Sequence, residues 1–188
     1  MSWFDWKTVL IVLAVIAVVV VVALIALGKY PNVFGLKQGF QGGGPPPSVP
    51  TFTMFYADWC GPCKLLDKNT FQNPDVSRYI SEHFYAVKFN AEGQEEIKFF
   101  DQTYTNPNYD PNRKGRNGTH QFTQYLGVKG YPTMVFFSEN GAPIMPVVGY
   151  LKPQQLELYL KMIKQGDYQV FSKPEDFEKY QKSFIPRF

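Results

Sequence analysis

Cysteine and histidine are scarce, with two of each in 188 residues. A structural zinc site takes about four ligands, so Cys60, Cys63, His83 and His120 would all have to serve, at a spacing that fits no finger pattern. No metal is expected. Charge is also thin: 19 basic against 16 acidic side chains leave a balance of only +3, which excludes the basic footprint of a nucleic-acid binder. Neither histidine has a carboxylate or cysteine at ligand spacing. Both are expected at the surface or at helix ends, outside any site.

What the chain does hold is both cysteines two residues apart, in Phe55-Tyr56-Ala57-Asp58-Trp59-Cys60-Gly61-Pro62-Cys63-Lys64, directly after an apolar run. A C-x-x-C at a strand-to-helix junction places the first sulfur among the free N–H groups of the helix's first turn, where thiolate is favoured over thiol. Cys60 is the expected nucleophile. Cys63, one turn along and covered by the helix and Pro62, is the expected resolving thiol, able to displace a reduced substrate from Cys60. A purely structural disulfide is the competing reading. It closes so short a ring that it would stabilise little.

These residues also carry a resemblance. Trp59-Cys60-Gly61-Pro62-Cys63-Lys64 resembles the active-site motif of the thioredoxin superfamily, and Gly130-Tyr131-Pro132-Thr133 before an apolar run resembles its cis-proline turn. Asn140-Gly141 is similar to its hairpin turn, and Gly149 stands ahead of a closing helix. The resemblance spans about Val49 to Lys164. Phe71-Gln72-Asn73-Pro74-Asp75-Val76 is further similar to the thioredoxin-like carboxyl-terminal domain of the DsbD family.

The resemblance implies an α/β, thioredoxin-like fold, a central mixed β-sheet flanked by helices. It implies thiol–disulfide exchange with no cofactor beyond a redox-active Cys60–Cys63 disulfide, supported by Trp59, Gly61 and Pro62. It further implies a cis Tyr131–Pro132 bond, with Pro132 facing Cys60 and the Tyr131 backbone pairing with an extended substrate chain. One position departs from the family pattern. Where many thioredoxins carry a buried carboxylate six residues before the first cysteine, this chain has Met54, and Lys88 resembles the basic partner of that missing acid. Proton handling at Cys63 is thereby put in question.

Before the domain, Thr8 to Leu27 runs twenty residues without a formal charge. At about 1.5 Å per residue such a helix spans the ~30 Å hydrocarbon core, with Trp3, Phe4 and Trp6 before it and Tyr30 and Phe34 after it as interfacial aromatics. The expectation is one transmembrane helix, 8–27, after a short segment 1–7. A cleaved signal peptide ending near Ala26-Leu27-Gly28 is the alternative, although its apolar part would exceed the usual ~7 to 15 residues. Lys7 on one side against Lys29 and Lys37 on the other does not choose an orientation. The role of a disulfide enzyme favours the oxidising side of the membrane, periplasmic in a bacterium. Residues 28–50 follow as a tether, flexible at Gly42-Gly43-Gly44 and stiff at Pro45-Pro46-Pro47.

Within 51–188, Thr51 to Ala57 and Tyr85 to Asn90 read as strands, and Pro62 to Lys68 as the start of a helix with Leu65 and Leu66 in the core. Asp75 to about His83 reads as a helix, Ala91 to Tyr104 as partly helical, and His120 to Leu126 as a short helix. The insertion 105–119 is turn chemistry throughout; Arg113, Lys114 and Arg116 with Tyr104 and Tyr109 make it either a docking patch or a solvated, variable loop. Asn117-Gly118-Thr119 is also a glycosylation sequon, a weak signal. Thr133 to Ser138 and Pro143 to Val148 pair around Asn140-Gly141, with the two prolines marking the second strand as an edge. Leu156, Leu160 and Ile163 form one helical stripe. In the tail 172–188, Ser172-Lys173-Pro174-Glu175 matches a capping box, and Phe177, Tyr180 and Phe184 face either the domain or a partner.

The reading is a membrane-anchored protein-disulfide reductase whose soluble domain lies outside the cytoplasm. Its partners would be protein disulfide substrates and a membrane thiol electron donor, with a membrane protein complex as a further option. The alternative is a non-catalytic thioredoxin-fold docking subunit.

Overall fold

The computed structural model describes Lys37–Gln38 and residues 49–188. The expected transmembrane helix, Thr8 to Leu27, and most of the 28–50 tether lie outside the described residues. Among the described residues no helix is long and apolar enough to cross a membrane.

The β-branched and aromatic run Thr51-Phe52-Thr53-Met54-Phe55-Tyr56 forms β2 (Thr51–Tyr56), buried along nearly its whole length. Such a strand needs partners on both edges and cover on both faces. On one edge lies parallel β3 (Tyr85–Asn90), in register from Thr51 opposite Tyr85 to Tyr56 opposite Asn90, with β1 (Lys37–Gln38) parallel beyond it. On the other lies antiparallel β6 (Thr133–Phe137), and then β7 (Pro143–Val148) at the sheet's edge. The sheet is therefore mixed, in the order β1-β3-β2-β6-β7. Pro143 and Pro146 sit in β7, where no further strand among the described residues asks for their missing N–H groups.

Period-two alternation along the strands divides the core in two. Phe52, Met54, Met134 and Phe136 point to one face, against Leu66, Val76, Ile80, Leu156 and Leu160. Phe55, Phe89, Val135 and Phe137 point to the other, against Ile97 and Phe122. Each such side chain, fully buried, contributes about 1.5–3 kcal/mol.

The first face is covered by three helical segments. α1 (Gly61–Leu66) runs on through a π-helical turn at Asp67–Phe71. α2 (Pro74–His83) starts at Pro74, because the Asn73 side chain accepts from the N–H groups of Asp75 and Val76 at 3.0 and 3.2 Å. α4 (Pro153–Gln165) ends where Gly166 takes φ 78°, the left-handed cap that suits glycine. The second face is covered by the short α3 (Gln121–Tyr125) and by a small hairpin of β4 (Ile97–Phe99) and β5 (Gln102–Tyr104).

That hairpin corrects the expectation of helix between Ala91 and Tyr104. Ile97 is buried, Lys98 is exposed and Phe99 packs on Phe122 and Phe137, so the stretch alternates with the period of a strand. Leu65 is corrected too: it is 53% exposed while Leu66 is fully buried, because adjacent helical positions point about 100° apart. The tail's capping carboxylate is Asp176 rather than Glu175. It accepts from the backbone N–H of Ser172 and Lys173, opening α5 (Pro174–Ser183) one residue later than the motif suggested.

α5 lies on the domain, with Phe177 against Tyr159 and Tyr180 against Phe171. Beside it, the buried Glu157 carboxylate accepts from the amides of Arg187 and Phe188 at 2.6 and 2.9 Å and pairs with Lys161.

Candidate active site

β2 ends at Tyr56, and the chain turns through a Cys60 N–H to Ala57 carbonyl bond of 2.9 Å before α1 begins. Cys60 is the N-cap of α1. Its Sγ accepts from the Cys63 N–H at 3.1 Å and is bonded to Cys63 Sγ at 2.06 Å. Side-chain exposure does not separate the two: Cys60 is 1% and Cys63 3% exposed. What separates them is the helix. Cys60 caps it and receives its N–H, whereas Cys63 lies inside its first turn.

Gly61 and Pro62 occupy the first helical positions and are exposed. A side chain at Gly61 would meet nothing within 4 Å, so the surface beside the buried disulfide is open at that residue. Tyr131–Pro132 is cis. Because Phe55 lies opposite Thr133 in the ladder, the register puts Pro132 at the same end of the sheet as the turn that carries Cys60. Pro132 is buried, and its carbonyl is held by the Gly149 N–H at 2.8 Å.

Trp59 is 39% exposed and is fixed from three directions. Its indole N–H donates to Glu92 Oε2 at 2.8 Å, the Arg116 guanidinium lies 4.5 Å from the ring centroid, and the Tyr131 ring is 6.0 Å away. The same Glu92 oxygen accepts from the Asn117 backbone N–H at 2.7 Å. The insertion 105–119 is thus sewn to the cysteine motif. Its base is held by Asn106, whose side-chain amide donates to the Gly93 and Gly118 carbonyls at 2.8 and 2.7 Å. The Tyr131 phenol is pushed upward in pKa, first by burial and then by Glu92, against opposing effects from Thr119 and Arg116.

Lys88 sits opposite Met54 in the ladder, and Met54 is fully buried. The lysine's partner is Asp67, at 2.6 Å, with its ammonium 5.0 Å over the Tyr56 ring. Asp67 stands one turn beyond Cys63 on the same helical run, its N–H donating to the Cys63 carbonyl. An acid therefore accompanies Lys88, supplied by the helix and not by the strand.

Residues 46–164 match the thioredoxin-like domain family profile. The chain belongs to that family. Over 116 residues this thioredoxin-like chain is 29% identical to the thiol:disulfide interchange protein DsbD of Tatumella citrea, 61% of this chain but 16% of that protein. Over 108 residues it is 33% identical to thioredoxin-like protein 1 of Schizosaccharomyces pombe, 57% of this chain and 27% of that one. The chain thus spans only a minor part of the curated relatives it matches. A thioredoxin-fold protein from Helicobacter pylori superposes with a TM-score of 0.60 at 22% identity, covering 82% of this chain and 93% of that one. That likeness concerns the fold. A thioredoxin-like fold carrying a Cys60–Cys63 disulfide at a helix N-terminus supports thiol–disulfide oxidoreductase chemistry.

Asp67 and Glu92 were not foreseen, and Arg116 was expected only in a docking patch or a solvated loop, not over the motif tryptophan. Asp67 and Arg116 find their partners 21 and 57 residues away in the chain, beyond the reach of local patterns. Glu92 carried a usable signal: a carboxylate just past the end of a strand beside the motif strand, near a tryptophan whose N–H needs an acceptor. His120 lies at a helix end, one of the two places expected, and it is fully buried there, donating from Nε2 to the Glu95 carbonyl at 2.7 Å and accepting at Nδ1 from Phe122 N–H at 3.0 Å as the cap of α3. Among the described residues no cluster of His, Cys, Asp or Glu is arranged to hold a metal ion.

Proposed function

We propose that this protein is a membrane-anchored thiol–disulfide oxidoreductase that reduces protein disulfides outside the cytoplasm through Cys60 and Cys63. The observation that carries the reading is the position of Cys60 Sγ, which caps α1 and accepts the Cys63 N–H at 3.1 Å. Once the disulfide is reduced, that N–H and the positive end of the helical run favour the thiolate at Cys60.

The thiolate attacks one sulfur of a substrate cystine. That S–S bond breaks, a Cys60–substrate disulfide forms, and the departing substrate thiolate takes a proton from solvent. Cys63, as thiolate, then attacks Cys60 Sγ, releasing the second substrate thiolate and leaving the Cys60–Cys63 disulfide. Two electrons have passed from the dithiol to the substrate. A thiol donor must return them, and a donor in the membrane suits the anchor expected at 8–27. The name of the DsbD relative, a thiol:disulfide interchange protein, supports the same class of reaction.

In this cycle Trp59, Gly61 and Pro62 shape the rim around Cys60, and Lys88 with Asp67 sets the charge beneath α1. The backbone at Tyr131 and the Pro132 ring receive the extended substrate strand. No cofactor beyond the dithiol is invoked.

The test is dithiol-dependent insulin reduction by the full-length protein. Wild type should precipitate insulin chains, and Cys60→Ser should not. A wild type that leaves insulin intact under reducing conditions sinks the reading and favours a docking subunit.

A further inference from the structure

The insertion 105–119 does more than lengthen a connection. Three of its residues meet the two elements that bear the site: Arg116 lies over Trp59, Asn117 shares Glu92 with Trp59, and Thr119 hydrogen-bonds Tyr131. The loop therefore forms one wall of the place where a substrate strand must lie if Tyr131 and Pro132 receive it.

The loop carries a net positive charge, Arg113, Lys114 and Arg116 against Asp110. Arg113, Lys114 and Arg116 are all exposed, while the acid beneath them, Glu92, is 9% exposed and has its Oε2 occupied by Trp59 and Asn117. Of the nearby exposed acids, Asp110 is turned into the loop's own backbone, accepting from Asn112 N–H at 2.9 Å. Asp58 is held by the Asn90 side chain at 3.2 Å, at the end of β3.

We propose that Arg116 is a specificity-determining residue of the disulfide exchange, selecting protein disulfides that carry acidic residues beside the cystine. The guanidinium lies 4.5 Å from the Trp59 ring centroid on an exposed side chain, a contact that uses no N–H hydrogen bond and lets its N–H groups meet a carboxylate on a chain lying along Tyr131. Arg113 and Lys114 extend the attraction outward. This rests on the oxidoreductase reading and adds the class of substrate.

Two peptides with one internal cystine each, identical except for Glu or Lys at the residues flanking one cysteine, provide the test. Full-length protein is reduced and freed of reductant, and the second-order rate constant of oxidation by each peptide is measured. Taking the ratio of the two rates within one preparation cancels changes in thiol reactivity. At low salt the acidic peptide should react about twofold to fivefold faster, the range of an exposed ion pair, and the ratio should shrink toward one near ~1 M salt. Arg116→Gln should bring the ratio most of the way toward one, Arg113 and Lys114 accounting for what remains, and Arg116→Lys should retain a preference for the acidic peptide. Equal rates in the wild type, or an unchanged ratio in Arg116→Gln, overturn the proposal. If the wild type reacts with neither peptide nor with 2-hydroxyethyl disulfide, the oxidoreductase reading itself falls.

Discussion

His120 makes a prediction whose size follows from its two hydrogen bonds. The Phe122 N–H points at Nδ1, so Nδ1 must offer a lone pair and the proton sits on Nε2, facing the Glu95 carbonyl. A second proton has no place to go. Burial pushes the ring below its ordinary 6.5, and the Glu95 carbonyl and carboxylate only partly oppose it. Above pH ~6.5 the ring is neutral both folded and unfolded, and stability does not change with its titration. Below that value the unfolded chain takes up a proton that the folded one refuses. Unfolding free energy then falls by up to ~1.36 kcal/mol per pH unit until the folded pKa is reached. Each pH unit by which burial lowers the folded pKa is therefore worth up to ~1.36 kcal/mol, appreciable beside a typical total of about 5–15. Urea unfolding of the full-length protein between pH 7.5 and 5, followed by circular dichroism, measures it. His120→Asn keeps an acceptor for the Phe122 N–H and removes the titration, so its stability should be lower throughout but flat across this range. A flat wild type, or the same slope in His120→Asn, would refute the assignment.

Three further outcomes are expected. Leu66→Ala should cost about 2–5 kcal/mol in urea unfolding, whereas Leu65→Ala, at an exposed position of the same helix, should stay within about 0.5. Glu157→Gln should destabilise by about 1–3 kcal/mol. Burial alone would raise the Glu157 pKa, but Lys161 and the Phe188 and Arg187 amides hold it below 4.5, so the wild type should lose this contribution as pH drops below about 4.5 while the Gln variant shows no such step. Cys63→Ser should accumulate a mixed disulfide with substrate at Cys60, visible on non-reducing gels and absent from Cys60→Ser; failure to accumulate would count against Cys63 as the resolving thiol.

The parts of the fold that could be read in the chain are those whose cause is local. Asn140-Gly141 between apolar runs makes a hairpin because Gly141 reaches φ 82° without strain, and Leu156, Leu160 and Ile163 turn inward together because their spacing matches a helix. The motif strand needed only its β-branched and aromatic content. What escaped depends on partners far off in sequence. Nothing around Glu157 announces that amides 30 and 31 residues later will meet it. His120 offers no clue to the Glu95 carbonyl. Ile97 to Tyr104 is too short to show whether its apolar residues serve a strand or a helix until Phe122 and Phe137 are there to receive Phe99. In the site, the cysteines and the Tyr131–Pro132 turn are contiguous motifs, while the Glu92 oxygen that ties Trp59 to Asn117 exists only in three dimensions.

That shared oxygen makes Trp59 a built-in optical gauge. Two anchors tie the indole to the loop, one at its N–H and one across its face, and it is next in sequence to the redox sulfur. With Trp3 and Trp6 replaced by phenylalanine, all tryptophan emission would come from this one ring. Its colour would report whether the loop is seated, and its brightness whether the neighbouring sulfur is bonded or free.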